Sequence, residues 1–210
     1  MRSYGQYCGL ARALDVVGDR WTLLIVRELL LTESARYTDL LDGLPGIATN
    51  LLADRLRDLE EAGLVSREES PPPVSTRFFR LTPRGRELET VIAAFGSWAS
   101  PLMGAARPGD EVRARWFQLP IRLHLRDGAP AKSPVTIQLT IAGEPMLVET
   151  VGDGSMRALA GSTDHADASL SGAPDVVMGL LRGRLSLAQA RARGLHFRGN
   201  FTAVQRIRPA

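Results

Sequence analysis

The stretch ATNLLADRLRDLEEAGLV, residues 48–65, decides how the first half of this 210-residue chain folds. On a helical wheel, Ala48 and three leucines fall on one side and the polar residues fall on the other. Gly63 suits the left-handed conformation that ends many helices. The stretch therefore predicts an amphipathic helix. Its leucine side is Leu52, Leu56 and Leu59, and its polar side is Asn50, Asp54, Arg57, Asp58 and Glu61.

The flanking residues predict a helix-turn-helix with a hairpin after it. Upstream, YTDLLDGLPGI (residues 37–47) combines a short amphipathic run with a glycine- and proline-containing turn, so that two helices meet across a tight connection. Downstream, β-like runs at residues 64–68 and 77–81 flank the proline-rich SPPPVST, residues 70–76. In such a winged helix the second helix enters the major groove by its first residues, and the wing contacts the minor groove or phosphates.

This arrangement selects six candidate DNA-contacting residues on the helix and the wing. Asparagine can read an adenine edge, and arginine suits guanine or a phosphate. The acidic residues Asp54 and Glu61 also fit a solvated surface helix that binds nothing, but the hairpin favours the DNA-binding interpretation. The candidates are Thr49, Asn50, Arg55, Arg57, Arg77 and Arg80.

Composition excludes several other classes of protein. The chain is 44% hydrophobic and 23% charged, which is typical of a folded globular protein. The most apolar run, residues 22–31, contains Arg27 and Glu28 and is too short to cross a bilayer, and no leader segment opens the sequence. We therefore expect a cytoplasmic protein without membrane contact.

Neither metal chemistry nor catalysis is predicted. The single cysteine, Cys8, has no internal disulfide partner, and the three histidines do not form a cluster at metal-ligand spacing. No GxSxG, HExxH or phosphate-binding glycine loop occurs. We expect no metal, no cofactor and no enzymatic activity.

The net charge of +3 is unevenly divided. Residues 1–106 carry 12 arginines against 14 acidic residues, a net charge of −2, whereas residues 107–210 carry 14 basic against 9 acidic residues, a net charge of +5. Bulk charge therefore does not locate a nucleic-acid site.

A further helix is predicted after the wing. Thr82 can cap it, Pro83 fits its first position, and it extends to about residue 101. Its apolar stripe fits either packing within its own domain or pairing with a second copy. We favour the homodimer, because two subunits would place their recognition helices about 34–36 Å apart, one turn of DNA. The candidate interface residues are Leu88, Val91, Ile92, Phe95 and Trp98.

The second half has a different pattern. After a linker at residues 103–110, strands are predicted at 121–125, 135–141, 146–151 and 166–171, followed by helices at about 175–181, 187–193 and 201–207. We therefore expect an α+β protein with two domains, residues 1–104 and 105–210. The pattern fits a dry core and an apolar ligand cavity equally well. The candidate pocket residues are Trp116, Phe117, Leu123, Ile137, Leu139, Met146 and Leu180.

Three segments in the first hundred residues resemble the HxlR-type winged-helix transcription regulators of bacteria. They are CGLARALDVVGDRWTLLIVREL, YTDLLDGLPGIATNLLADRLRDLEEAGLV and LTPRGREL. The resemblance implies a homodimer in which the N-terminal region and the last helix of each subunit pack together and two recognition helices meet an inverted-repeat operator. The chain departs from the family pattern at Gly9, where proline is common, and at Phe78, where a polar or acidic residue is usual.

Cys8 matches the N-terminal cysteine that some members of that family use to sense oxidants or electrophiles. A thiol near a dimer interface can form an intersubunit disulfide or an adduct. The alternative is an inert, buried small residue. Arg12, one helical turn later, would favour the thiolate.

The segment DASLSGAPDVVMGLLRGRLSLAQARARGLHFRGNFTAVQRI, residues 167–207, resembles the C-terminal part of sterol-carrier-protein-like domains. That resemblance implies a twisted sheet covered by helices, with an apolar tunnel between them. We expect a homodimeric repressor that binds double-stranded DNA, modulated by an apolar small molecule or by chemistry at Cys8. The alternative is a lipid or apolar-metabolite binding protein whose winged helix mediates protein association.

Overall fold

The computed structural model describes residues 3–69 and 76–210, so most of the predicted SPPPVST loop lies outside the described residues. The chain divides into two compact units, one ending at Phe95 and the other beginning at Gly96. Both units mix helices and strands. Within the described part of the chain, no helix is long and apolar enough to cross a membrane.

The first unit contains most of the α-helix content and a three-stranded antiparallel sheet in the order β1-β3-β2. The last helix crosses the boundary between the two units. In chain order the elements are α1 (Gly9–Val17), α2 (Thr22–Thr32), β1 (Ala35–Arg36), α3 (Tyr37–Gly43), α4 (Thr49–Glu61), β2 (Val65–Glu69), β3 (Arg77–Leu81), α5 (Pro83–Arg86) and α6 (Leu88–Ala99).

Helix α4 is the helix predicted from residues 48–65. Leu52, Leu56 and Leu59 are at most 2% exposed, so the predicted leucine side faces the core. Gly63 has a φ of +68°, and the amide of Leu64 donates to the carbonyl of Leu59, which ends the helix as predicted. Ala48 differs from the prediction: it is exposed and precedes the helix as its N-cap residue.

The wing and the cap after it are confirmed. Strands β2 and β3 pair in antiparallel register from Val65 opposite Leu81 to Glu69 opposite Arg77. The Thr82 hydroxyl accepts a hydrogen bond from the amide of Gly85 at 3.1 Å and donates to the carbonyl of Gly63 at 2.7 Å. One threonine therefore caps α5 and joins it to the end of α4.

The predicted continuous helix from Pro83 to about residue 101 is divided. Glu87 separates α5 from α6, and a 3-10 turn, Ser100–Leu102, follows Ala99. Pro101 has no amide hydrogen for a further helical bond, which accounts for the end of α6.

The second unit is built on a five-stranded sheet with the order β7-β6-β5-β8-β9, in which only the β5–β8 pair is parallel. A 3-10 turn (Ala114–Phe117) precedes the first helix, and β4 pairs with β10. The elements are α7 (Gln118–His124), β4 (Leu125–Asp127), β5 (Thr136–Ile141), β6 (Glu144–Thr150), β7 (Met156–Ala160), β8 (Ala168–Gly172), α8 (Pro174–Leu181), α9 (Leu187–Ala192), β9 (His196–Gly199), α10 (Phe201–Arg206) and β10 (Ile207–Pro209).

One side of this sheet is the core side of the second unit. Alternate residues of β5, Ile137, Leu139 and Ile141, are fully buried, whereas the residues between them are partly exposed. Helices α7, α8, α9 and α10 contribute buried residues to the same core cluster as the sheet. The predicted helices of this half are confirmed to within one or two residues at each end.

The strand predicted at residues 121–125 is wrong. Residues 118–124 form α7, and β4 begins only at Leu125. Five alternating residues are too few to distinguish strand from helix, and Pro120 fits the first turn of a helix, where no amide donor is needed. Ile121 and Leu125 are buried, but Leu123, a candidate pocket residue, is only half-buried. Strands β7, β9 and β10 were not predicted.

Candidate nucleic-acid interface

The turn between α3 and α4 positions the start of α4, the helix that carries four of the predicted DNA-contacting residues. The Tyr37 hydroxyl donates a hydrogen bond to the carbonyl oxygen of Thr49, which joins the first residue of α3 to the first residue of α4. Leu40, Leu44 and Ile47 are buried beneath the turn. Because these apolar anchors face inward, the first turn of α4 is left at the surface.

Three of the predicted DNA-contacting residues are exposed on α4: Thr49, Asn50 and Arg57. The Asn50 Oδ1 accepts a hydrogen bond from the amide of Leu51 at 3.0 Å, so the NH₂ group of this side chain supplies its donors. The Arg57 side chain is 64% exposed and lies 3.2 Å from an Asp54 carboxylate oxygen. These side chains have the chemistry and the access needed to reach base edges.

Arg55 is placed differently from Arg57. Its side chain is only 28% exposed, and its guanidinium lies 3.2 Å from Asp58 and 3.7 Å from Asp19. Two ion pairs on a half-buried side chain hold it against the protein. Arg55 therefore contributes to the support of α4 in this structure rather than to its outward face.

The wing arginines are exposed but paired with acidic residues of the neighbouring strand. Arg77 lies 3.0 Å from Glu69, and Arg80 lies 3.1 Å from Glu68. Exposed ion pairs of this kind contribute about 0–1 kcal/mol, so a phosphate oxygen can replace the carboxylate at little cost. Both arginines therefore remain available to contact phosphates of a nucleic-acid backbone.

Arg36 is a further exposed arginine on the sheet that forms the wing, and it is not among the residues predicted from the sequence. It is exposed on β1, and its guanidinium carbon lies 5.5 Å from the ring centroid of Phe78 on β3. The contact gives Phe78 a partner in the wing, where the family pattern usually has a polar residue. A two-residue strand carries no periodicity, so nothing in the sequence indicated this position.

Helix α6 presents its apolar side chains to solvent. In the single chain described here, none of the residues Leu88–Ala99 is buried. The side chains of Val91, Phe95 and Trp98 are 39%, 54% and 74% exposed, and Leu88 and Ile92 are half-buried. Exposed apolar surface of this extent is typical of an interaction site.

Cys8 is exposed at the N-cap of α1, so the buried alternative does not apply to this structure. Its sulfur makes no capping hydrogen bond, but the backbone amides of Ala11 and Leu10 lie toward it and lower the pKa of the thiol. A helix N-terminus favours the thiolate in this way.

The candidate pocket residues of the second unit lie in or beside its core. Ile137, Leu139 and Met146 are fully buried there, and Leu180 is 7% exposed. Phe117 packs against this core, whereas Trp116 and Leu123 are half-buried. An apolar ligand site among these residues stays a prediction. Across residues 3–69 and 76–210, no three histidine, cysteine or acidic side chains are grouped as metal ligands.

Two helices joined by a tight turn, with a wing after the second, define a winged helix-turn-helix protein. Comparison with known proteins agrees: the model of the HxlR-like helix-turn-helix family matches residues 16–106. The HTH-type transcriptional regulator YvaP of Bacillus subtilis is 32% identical over 89 residues, which are 42% of this chain and 82% of YvaP. The chain belongs to the HxlR-like helix-turn-helix family of transcriptional regulators.

Other relatives match a similar share of the chain. The regulator YodB of Bacillus subtilis is 30% identical over 100 residues, covering 48% of this chain and 86% of YodB. A regulator of Synechocystis is 39% identical over 93 residues, which are 43% of this chain and 66% of that protein, just under two thirds of its length. The solved structure of reduced YodB aligns with 50% of this chain and all of that chain, at 28% identity and a TM-score of 0.42.

Proposed function

We propose that this chain is a homodimeric repressor that binds an inverted-repeat operator in double-stranded DNA. The observation that carries the proposal is the exposed polar first turn of α4, with the arginines of the wing following it in a winged helix-turn-helix. In this arrangement Thr49, Asn50 and Arg57 read base edges in the major groove. Arg77 and Arg80 contact phosphates, and Arg55 reaches DNA only by leaving Asp19 and Asp58.

Helix α6 supports the homodimer. Regulators of this family bind DNA and are typically dimers. An apolar helix without a buried residue gains stability by packing against a second copy, since apolar area removed from water contributes about 25 cal/mol per Å². The interface we propose contains Leu88, Val91, Ile92, Phe95 and Trp98 of each subunit. A two-fold axis there would repeat α4 about one DNA turn away.

An electrophoretic mobility shift with the DNA that flanks the chain's own gene tests this function. We expect a discrete complex with the full chain. Arg57→Ala and Asn50→Ala should each weaken it about tenfold or more, because a good base contact is worth about 1–3 kcal/mol.

Arg157→Ala is the matched control for Arg57→Ala. Arg157 is also an exposed, ion-paired arginine, 58% exposed and 3.5 Å from Glu149, but it lies on β7 of the second unit. Its replacement should leave the complex unchanged. A complex that never forms, or one that all three variants bind equally well, contradicts the proposal.

The second unit carries the proposed regulatory part. Its five-stranded sheet with helices packed into the core supports the sterol-carrier-protein-like interpretation. In this proposal an apolar molecule bound to that unit, or modification of Cys8, favours a dimer whose recognition helices no longer match the operator. Such a ligand lowers operator affinity only by as much as it prefers that dimer.

A further inference from the structure

The side of the five-stranded sheet opposite the core carries a compact set of polar side chains. Gln138 of β5, Ser169 of β8 and Arg198 of β9 lie opposite one another and form one row across three strands. The residues two positions along form a second row on the same side, because strand side chains alternate. This second row is Thr140, Ser171 and His196.

These rows line a depression of ≈ 350 Å³ on the sheet surface. Leu170 and Phe197 also border it, but Leu170 is fully buried and Phe197 packs against the core, so both contribute mainly backbone. Neighbouring strands lie about 4.8 Å apart, so each row is about 10 Å wide. This volume lies near the lower end of the range of about 300–1,000 Å³ found for small-molecule sites.

Each polar side chain in this depression can donate at least one hydrogen bond. The Gln138 Oε1 accepts a hydrogen bond from the amide of Thr163 at 3.0 Å, so its NH₂ group is left to donate. Arg198 adds a guanidinium, His196 an imidazole, and the serines and threonine add hydroxyls that can donate. Among the described residues that line the depression, none has a carboxylate side chain.

The C-terminal part of the chain, which supplies β9, is basic in sequence, and among the described residues that line the depression Arg198 is its one arginine. From residue 176 to residue 210 the chain has no acidic residue and seven arginines. Asp127 holds Arg206 by two hydrogen bonds, but among the residues that the structure describes, Arg198 and His196 make no ion pair or side-chain hydrogen bond. The seven are Arg182, Arg184, Arg191, Arg193, Arg198, Arg206 and Arg208.

We propose that this depression binds a small polyanion through its phosphate or carboxylate oxygens. Arg198 pairs with two anionic oxygens at once, and the donors of Gln138, Ser169 and Ser171 hold the remaining oxygens. The four side chains from β5 and β8 that line the depression are half-buried. A depression of ≈ 350 Å³ suits a compact ligand, whereas duplex DNA needs contacts spread over roughly 1,000 Å² of protein surface. The site is independent of the DNA-binding function proposed above.

Isothermal titration calorimetry of the full chain tests this site with three probes. Pyrophosphate represents a phosphorylated ligand, citrate a polycarboxylate and glucose a neutral molecule of similar size. We expect saturable binding of at least one anion and none of glucose. The stronger of the two anions identifies the class of ligand.

Variants locate the binding within the depression. Arg198→Ala should weaken anion binding about tenfold or more, because it removes a charged donor. Ser169→Ala removes a neutral donor and should weaken binding by a smaller factor, because a hydrogen bond with a neutral donor contributes less free energy. Arg198→Lys should lie between wild type and Arg198→Ala, since it keeps the charge and loses the planar pair of donors. Arg157→Ala, on the same side of the sheet but paired with Glu149, should bind the anion as wild type does.

Several results would overturn the proposal. They are the absence of saturable binding for both anions, equal binding by the Arg198→Ala and Arg157→Ala variants, and a loss of DNA mobility shift in Arg198→Ala without any anion binding by wild type. The last result would identify this surface as a contact for duplex DNA. Failure of the mobility shift in wild type would count against the proposed repressor alone.

Discussion

Gly85 is held in a space that no side chain can enter. An added Cβ would lie 2.0 Å from the carbonyl oxygen of Leu64 and 3.1 Å from the side chain of Leu81, and the first of these neighbours is backbone that cannot rotate away. The close approach is what allows Thr82 to cap α5 beside the end of α4. Glycine is therefore needed at this position for packing.

Gly85→Ala should destabilise the first unit. Overpacking costs about 1–3 kcal/mol even where side chains can adjust, and here the contact is with backbone. The free energy of unfolding in urea measures the effect. Gly9→Ala is the control, because a Cβ at Gly9 would meet nothing within 4 Å. Equal stability of the two variants would show that the Leu64 carbonyl moves aside.

Cys8 should react as a thiolate at lower pH than an ordinary thiol. The amides of Ala11 and Leu10 favour the charged form of the exposed sulfur and so lower its pKa. The pH dependence of alkylation by iodoacetamide should have its midpoint below that of the same chain unfolded in urea. A midpoint that does not change on unfolding would contradict this arrangement.

Contacts between residues far apart in the sequence hold the last helix of the second unit against its first strand. A bidentate salt bridge joins helix α10 to β4. In it, Arg206 donates two hydrogen bonds to the Asp127 carboxylate, at 2.6 and 3.0 Å. The same guanidinium donates to the carbonyls of Ser133 and Ala129 at 2.6 and 3.1 Å. The Asp127 side chain is only 1% exposed, so one arginine holds together segments that are 79 residues apart in sequence.

Arg206→Met should cost about 3–5 kcal/mol at neutral pH, because it leaves a buried carboxylate without its partner. Arg208→Met is the control, since Arg208 is exposed and, among the described residues, its side chain donates to the carbonyl of Gln205 alone, at 3.4 Å. Urea unfolding of both variants gives the comparison. A cost no larger than that of Arg208→Met would mean that water replaces the guanidinium.

The effect of Arg206 should also depend on pH. The hydrogen bonds from Arg206 lower the pKa of Asp127 in the folded chain. The stabilisation is therefore complete above the unfolded pKa of an aspartate, about 3.9, and is lost as the pH falls through the lower folded pKa. The difference in unfolding free energy between wild type and Arg206→Met should shrink in acid.

At the scale of the whole molecule, the exposed apolar side chains indicate which surface a second copy would pack against. Trp98, Phe95 and Val91 of α6 present a continuous apolar side, whereas Leu159 of β7 is 43% exposed on the open side of the sheet. A large aromatic side chain at a dimer interface is a common hot spot. The exposed Phe95 and Trp98 thus favour pairing through α6 over pairing through the sheet.

Trp98→Glu should convert the homodimer proposed above into monomers. Loss of a hot spot worth about 2 kcal/mol weakens association about 30-fold, and a buried carboxylate adds to this. Sedimentation equilibrium over a range of concentrations measures the dissociation constant. Leu159→Glu should remain a dimer. The opposite result for the two variants would place the interface on the sheet.

Features that depend on nearby residues could be predicted from the sequence. The leucine side of α4, the stop at Gly63 and the cap by Thr82 each involve partners within a few residues, so periodicity and capping rules apply to them. Strand β5 could also be predicted, because apolar and polar residues alternate along six positions and only one side of the strand is buried. In contrast, the short run at residues 121–125 was compatible with two periods, and packing made it a helix.

The sequence by itself determined the order of helices and wing, the side of α4 that faces inward and the family to which the chain belongs, since these are properties of local pattern. Only the tertiary structure decided which arginines are available. Arg55 is held by Asp19, 36 residues earlier in the chain, whereas Arg57 is exposed. It also brought together Gln138, Ser169 and Arg198, because strand pairing places distant residues side by side.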